Sequence, residues 1–183
     1  MSTAAVLDRR SLLAPLSGTV LEIGPGRGVN LPHYRSDVTW IGMEPATRKH
    51  RSIQAVARRL GRTITLSADK AEAIPLPDGS VDAVVSTFVL CSVAHPDRSL
   101  EEVHRVLRPG APFVFLEHVG PPPGTLSRRL LDGWSRLEIG HCRPNRDTGG
   151  TLERAGFAGL EISESVMRPL GLTVPVIRGR ATR

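Results

Sequence analysis

The chain has 183 residues, 40% of them hydrophobic, which predicts one domain over residues 1–183 with a full core. No run approaches the roughly 20 apolar residues of a membrane span, and two cysteines are too few for a disulfide framework. The formal net charge is +6, but no aromatic residue interleaves with the basic cluster at 48–62. We therefore expect a solvated helix face and no specific nucleic-acid partner.

A buried strand that runs into a glycine-rich turn is predicted at 19–28. Glu22 lies near the end of this strand. Three glycines follow it at alternate positions, Gly24, Gly26 and Gly28. Because glycine has no Cβ and tolerates positive φ, the backbone of this turn can approach a ligand closely. Asn30, just beyond the turn, either caps a short helix or contacts the same ligand.

A second apolar run at 38–43 predicts the next strand and ends in Glu44, 16 residues after Gly28. An acid at this strand end can accept both hydroxyl groups of a ribose. Pro45 then opens a helix predicted over 47–60. These features are compatible with a nicotinamide-dependent enzyme. The third glycine comes one residue early for that class, and a second dinucleotide-binding half is missing, so this interpretation is disfavoured.

The rest of the chain alternates strand and helix patterns. Strands are predicted at 63–67, 81–86, 112–117, 159–165 and 172–178, and helices at 96–107, 126–137 and 148–155. This alternation is typical of a parallel sheet covered by helices on both faces. The last two strands have no long helix between them, so they form a hairpin and one is antiparallel. The predicted class is α/β, with a Rossmann-like, seven-stranded, mostly parallel sheet.

Several motifs follow the glycine turn in a recognisable order: Ala71-Glu72-Ala73-Ile74-Pro75, Asp78-Gly79-Ser80-Val81-Asp82 and Arg105-Val106-Leu107-Arg108-Pro109-Gly110. With the turn, they make residues 19–110 resemble the class I S-adenosylmethionine (SAM) dependent methyltransferases, in particular the quinone-biosynthesis type. The runs 86–93, 116–119 and 145–148 resemble a smaller subgroup that includes membrane-associated alkyl-thiol methyltransferases. The resemblance implies the strand order 3-2-1-4-5-7-6 and SAM as the cofactor.

The resemblance also implies which residues bind SAM. The glycine turn lets the backbone approach the methionine end, Glu22 attracts the ammonium group or orders water near it, and Glu44 accepts the ribose hydroxyls. The loop at 69–72 matches the adenine loop, although Lys70 cannot accept a hydrogen bond there and Asp69 must substitute. The implied set is Glu22, Gly24, Gly26, Gly28, Asn30, Glu44, Pro45, Asp69, Ala71, Glu72 and Thr87. In the alternative interpretation, Glu22 makes only structural hydrogen bonds.

Methyl transfer is an in-line displacement in which the protein mainly aligns the acceptor with the methyl group. A base is needed only for an acceptor that starts protonated, and a thiol needs less help than an alcohol or amine. His118 and His141 are the candidate catalytic bases and Asn145 a candidate orienting amide, although His118 is equally a hydrogen-bonded strand-end histidine. No metal site is expected, because His141 and Cys142 alone form too short a cluster, and Cys91 is expected to pack as a small apolar residue.

The sequence lacks the D/N-P-P-Y/F motif of nucleic-acid amino-methyltransferases, which argues against a base-methylating enzyme. The resemblance of Cys91-Ser92-Val93 and Glu117-His118 to the thiol-methylating subgroup implies a small-molecule acceptor, a thiol first and a hydroxyl or amine next, and we expect a cytoplasmic enzyme. Residues 120–146 are predicted to be an acceptor-site insertion. The helix within them offers Leu130, Trp134 and Leu137 as an apolar wall, or packs on the core. The short N-terminal segment leaves the site open or closed by another subunit of a homodimer. The alternatives are a non-catalytic SAM-binding protein and an enzyme for a bulky or carrier-held acceptor.

Overall fold

The computed structural model describes residues 8–122, 124–136, 142–143, 145–167 and 174–183, with the backbone alone for 134–136. Seven strands form one sheet: β1 Thr19–Ile23, β2 Thr39–Met43, β3 Thr65–Ser67, β4 Ala83–Thr87, β5 Pro112–His118, β6 Ala158–Met167 and β7 Val174–Thr182. The α-helices of the described residues are α1 Arg9–Leu13, α2 His50–Arg59, α3 Pro96–Val106, α4 Leu126–Arg136 and α5 Thr148–Arg154.

The strand order is β3-β2-β1-β4-β5-β7-β6, which confirms the order that the resemblance implied. Strand β1 pairs in parallel with β2 and β4, so that Ile23 lies opposite both Met43 and Ser86. Strand β7 runs antiparallel between β5 and β6, which confirms the predicted closing hairpin. The connections change direction between β1 and β4, and parallel sheets bind ligands beyond the carboxyl ends of the strands at such a point.

The sheet is buried on both faces because its central strands are apolar at nearly every position. In β1, Val20 packs on one face with Ile53 of α2, and Leu21 packs on the other face with Leu100 of α3. All four side chains are fully buried. This double burial is what continuous apolar runs in a parallel sheet predict. The central strand β1 therefore has little freedom to move, and the turn that follows it starts from a fixed position.

Several elements differ from their predicted bounds; β3, for example, begins at Thr65 and β4 at Ala83. The helix predicted at 47–60 begins as a 3₁₀ turn over Thr47–Lys49 and becomes α-helical only at His50. Strands β6 and β7 extend beyond their predicted ends, because antiparallel pairing with their neighbours continues through polar residues up to Thr182.

On α2 the side chains of Arg51 and Arg58 are exposed, as expected of a solvated basic face. Among the described residues, no helix is long and apolar enough to cross a membrane.

Gly42 in β2 leaves room for the indole ring of Trp40. A Cβ at position 42 would stand 2.1 Å from Trp40 Cη2, and the Trp40 side chain is buried in the core. We expect Gly42→Ala to lower the free energy of unfolding by about 1–3 kcal/mol, because the indole must leave its packed position. Urea denaturation measures this change.

Gly133→Ala is the matched control, because Gly133 lies exposed on α4 and, among the described residues beyond its own helix backbone and chain neighbours, no atom lies within 4 Å of an added Cβ. A helical alanine there should leave stability unchanged or raise it by up to about 1 kcal/mol. Equal stabilities for Gly42→Ala and the unmodified chain would contradict the packing described for Trp40.

Candidate functional site

A cavity of about 550 Å³ opens beyond the carboxyl ends of β1, β2 and β4. It lies at the point where the sheet reverses its connections, the expected place for a ligand in this architecture. Its lining includes five of the residues predicted to bind the cofactor, Gly24, Glu44, Pro45, Ala71 and Glu72. Phe88 and Val89, from the loop after β4, complete the opposite wall.

The three glycines of the turn have different roles. Gly24, Gly26 and Gly28 all have positive φ, at 58°, 62° and 77°. A Cβ on Gly24 would stand 2.6 Å from a methyl carbon of Val89, so the turn and the opposite wall meet in close contact. Gly28 instead packs against α2, where its Cβ would stand 3.3 Å from the backbone of Ile53. Gly28 therefore has a role in helix packing, and its part in cofactor binding stays a prediction.

Glu44 forms a charged part of the cavity wall and is only 4% exposed. Its Oε2 accepts a hydrogen bond from the Gly26 amide at 2.9 Å. Its Oε1 accepts from the Ala46 amide at 3.0 Å and from Lys49 Nζ at 3.2 Å. A carboxylate has about four acceptor positions, so about one is still available. The Lys49 side chain is 35% exposed, so it can turn into solvent and free a second acceptor position on Glu44.

Glu22 lies fully buried beneath the turn and does not line the cavity. Its carboxylate accepts hydrogen bonds from Asn30 Nδ2 at 2.8 Å, Tyr34 Oη at 2.9 Å and Trp40 Nε1 at 3.0 Å. Burial raises the pKa of Glu22, while these three donors act in the opposite direction. These contacts are the structural hydrogen bonds of the alternative interpretation, and the expected role of Glu22 in attracting the ammonium group, or in ordering water near it, stays a prediction.

Asn30 links this buried network to β4. Its Nδ2 also donates to Thr87 Oγ1 at 2.9 Å. Its Oδ1 is buried and has no hydrogen-bond partner in the described part of the chain. Because buried polar atoms are normally paired, this oxygen is an available acceptor close to the turn. Neither Asn30 nor Thr87 lines the cavity, so both stand behind its wall.

The loop at 69–72 forms another side of the cavity. Lys70, Ala71 and Glu72 line it, whereas Asp69 is exposed and does not. The Glu72 carboxylate accepts backbone hydrogen bonds from Ala94 at 2.8 Å and from His95 at 3.3 Å. Glu72 therefore fixes the residues that lead into α3 in addition to lining the cavity.

The loop after β4 is held by a second buried carboxylate. Glu117 accepts hydrogen bonds from the backbone amides of Val89 at 2.9 Å and Leu90 at 3.1 Å, and from Ser86 Oγ at 2.5 Å. Burial raises the pKa of Glu117 to about 8. Phe88 has a φ of 57°, the one positive φ of a non-glycine residue in the described ranges. Such a backbone costs about 1–3 kcal/mol and persists only where its surroundings enforce it.

His118, at the end of β5, lies beside both cysteines. Its Nδ1 is 3.7 Å from Cys91 Sγ and 3.6 Å from Cys142 Sγ, and the two sulfur atoms are 3.1 Å apart. The contact between the thiols raises the pKa of Cys91 and lowers that of Cys142. The sequence predicted neither this grouping nor a polar role for Cys91. Nothing local signals it, since the three residues lie on separate segments.

The structure describes only one of the two remaining candidate residues for catalysis, His141 and Asn145. His141 lies outside the described residues. Asn145 Nδ2 donates to Asp132 Oδ1 of α4 at 2.8 Å, so its amide joins two parts of the 120–146 region. Leu130, predicted to form an apolar wall, is 53% exposed. The other two predicted wall residues cannot be placed, because the Trp134 side chain and Leu137 lie outside the residues that the structure describes.

The comparisons with known proteins agree with this geometry. A family model described as a methyltransferase domain matches residues 21–115. The human thiol S-methyltransferase TMT1A is 35% identical over 176 residues, which cover 90% of this chain and 70% of that protein. The ubiquinone/menaquinone biosynthesis C-methyltransferase UbiE of Methylobacterium nodulans is 46% identical over 85 residues, covering 45% of this chain and 32% of its own length. The crystal structure of YcgJ from Bacillus subtilis aligns with a TM-score of 0.79 at 14% identity and covers 100% of this chain and 99% of its own.

The Glu22 network makes a stability prediction. We expect Glu22→Gln to lower the free energy of unfolding by about 1–3 kcal/mol, because the new amide nitrogen must face one of the three buried donors. Urea denaturation followed by tryptophan fluorescence measures the change. Glu161→Gln is the control, since Glu161 pairs with Arg180 on the surface at 66% side-chain exposure. That variant should stay within about 0.5 kcal/mol. A Glu22→Gln protein as stable as the control would contradict the network.

Proposed function

The chain belongs to the class I SAM-dependent methyltransferases, and we propose that it methylates the sulfur atom of a small thiol. The single observation that carries the proposal is the cavity at the sheet reversal, with Glu44 on one wall and the apolar side chains of Phe88 and Val89 on the other. The similarity to a thiol S-methyltransferase over 90% of this chain supports sulfur as the accepting atom.

The residues present fit SAM. Glu44 offers acceptor positions for the ribose hydroxyls. The unpaired Oδ1 of Asn30, which lies behind the cavity wall, suits a water that in turn binds the ammonium group. Gly24 and Ala71 both line the cavity, which supports their proposed roles at the methionine end and at the adenine. Asp69, which is exposed outside the cavity wall, is the weakest member of the proposed set.

SAM supplies a methyl group on a positively charged sulfur, which is already a good leaving group. The protein must bring the acceptor into line and exclude water, so proximity supplies most of the rate. Phe88 and Val89 are suited to this task, because they are apolar and Glu117 holds their loop in place. His118, a proposed base, packs against this wall, with its ring centroid 4.4 Å from that of Phe88. His141 remains a prediction as a second base.

The 120–146 region stays a proposed acceptor-site insertion. Helix α4 carries two exposed leucines, Leu126 at 72% and Leu130 at 53%, while Leu131 is buried. We propose that the exposed pair borders the acceptor entrance or a second copy of the chain in a homodimer. A cytoplasmic location and the lack of a specific nucleic-acid partner remain part of the same proposal.

Glu44→Gln tests the cofactor site. We expect it to weaken SAM binding by about 1–3 kcal/mol, because the carboxamide loses a charge-assisted acceptor for the ribose. Isothermal titration calorimetry with SAM measures the affinity. Glu153→Gln on α5 is the control, since Glu153 is exposed outside the cavity lining, and it should bind SAM normally. Equal affinities for both variants would remove Glu44 from the site.

A panel of simple alkyl thiols, phenols and amines tests the acceptor. We expect the thiols to react fastest, because a thiol ionises most easily and sulfur is the better nucleophile. Mass spectrometry of the methylated product and of S-adenosylhomocysteine measures turnover. A reaction without acceptor controls for methylation of Cys91 or Cys142. If SAM binds normally but no small acceptor reacts, a non-catalytic SAM-binding protein or a bulky or carrier-held acceptor becomes the better interpretation.

A further inference from the structure

Three side chains with metal-ligating atoms, those of Cys91, His118 and Cys142, lie together beside the cavity. All their ligating atoms lie within 4.8 Å of one another. None of them belongs to the proposed SAM-binding set. The residues come from the loop after β4, the end of β5 and the segment before α5, so only the fold brings them together.

The backbone holds the three residues in place independently of their side chains. The Arg143 amide donates to the Cys91 carbonyl at 2.8 Å, which fixes the segment that carries Cys142. Arg146 Nη1 donates to the carbonyls of Leu90 at 3.0 Å and Val93 at 2.6 Å. His118 lies in β5, opposite Val176 of β7. These hydrogen bonds hold the segments that carry the three side chains together without a bound metal.

The distances suit a tetrahedral metal better than a disulfide. With metal bonds of about 2.3 Å to sulfur and 2.0–2.1 Å to nitrogen, tetrahedral zinc places sulfur and nitrogen ligands about 3.6 Å apart. The two observed sulfur–nitrogen distances are 3.6 and 3.7 Å. The sulfur atoms, 3.1 Å apart, must separate by about 0.7 Å for zinc or approach by about 1 Å for a disulfide. A disulfide gives no reason for the nearly equal distances of His118 Nδ1 from both sulfur atoms.

We propose that Cys91, His118 and Cys142 bind a zinc ion whose fourth position accepts the sulfur of the acceptor thiol, an inference that rests on the proposed function. Two thiolates and one imidazole leave a tetrahedral zinc one ligand short, the arrangement of catalytic zinc sites. The cluster borders the cavity through two lining residues: Ser92 Oγ is 3.6 Å from Cys91 Sγ, and Phe88 packs on the His118 ring.

Methyl transfer from SAM to the zinc-bound sulfur needs no oxidant, reductant or further substrate. The acceptor thiol gives its proton to water when its sulfur bonds to zinc, because a coordinating thiol is deprotonated. A lone pair of that sulfur then forms a bond to the methyl carbon of SAM, and the pair of the breaking carbon–sulfur bond stays on the donor sulfur. The product is a neutral thioether, a weaker ligand than a thiolate, so it can leave. In this scheme His118 is a ligand and no protein base is needed.

Zinc content tests the site. Tag-free protein is dialysed against buffered micromolar zinc under reducing conditions, and bound metal is measured by mass spectrometry. The unmodified chain should hold about one zinc, while Cys91→Ser, Cys142→Ser and His118→Asn each lower the affinity at least about tenfold. His95→Asn is the matched control, because His95 is exposed and outside the cluster, and it should keep its zinc. SAM calorimetry verifies that every variant is folded.

Cobalt tests the fourth position without relying on activity. The cobalt-loaded chain should show thiolate-to-metal absorption that increases when a small alkyl thiol is added together with S-adenosylhomocysteine. No such change would overturn the assignment of the fourth ligand. An unmodified chain that binds no metal and instead forms a Cys91–Cys142 disulfide in air would overturn the whole proposal, as would metal retained equally by all three variants.

The outcomes also separate this inference from the proposed function. If chelator-treated, metal-free protein methylates thiols at an unchanged rate, the zinc proposal fails and thiol methylation stands. If the thiol changes the cobalt spectrum but is never methylated in the presence of SAM, the metal site stands and the proposed function fails.

Discussion

The hydrogen bonds from the backbone amides of Val89 and Leu90 to the buried carboxylate of Glu117 control both parts of the site. They hold the loop after β4 against the end of β5. The same loop places Val89 against Gly24 and Phe88 against His118, so one contact sets the cavity wall and the neighbouring cluster. A carboxylate is suited to this task, because it can accept several backbone donors at once while remaining away from water.

Glu22 plays the corresponding part on the other side of the sheet reversal. Both acids are fully buried near the carboxyl ends of their strands, and each accepts three or more hydrogen bonds from protein donors. Burying a carboxylate is costly unless its oxygens are paired, so each acid fixes the positions of its donors. Tyr34 and Trp40 are thereby oriented under the glycine turn, and Gly42 gives the indole its space.

The sequence predicted the features that depend on local pattern. Alternating strands and helices, the glycine turn and the acid after β2 all follow from short-range periodicity and spacing, and the strand order followed from family resemblance. The partners of Glu22 could not be predicted, because Tyr34 and Trp40 are also ordinary core residues for their segments. The packing of Gly28 could not be predicted for a similar reason. A glycine in a turn can indicate a positive φ, but the sequence does not show that a helix packs beside it.

The cluster of Cys91, His118 and Cys142 depends even more on tertiary contacts that the sequence does not predict. Cys91 and Cys142 are 51 positions apart, and His118 lies between them in the sequence, at the end of β5. Alone, Cys91 is an ordinary buried thiol, Cys142 a half-buried thiol and His118 a strand-end histidine. Their meeting depends on β5 lying beside β4 and on Arg146 joining the segment before α5 to the loop after β4. Any force that shifts that loop must therefore move Cys91 together with Phe88 and Val89, so the cavity wall and the cluster are mechanically one unit.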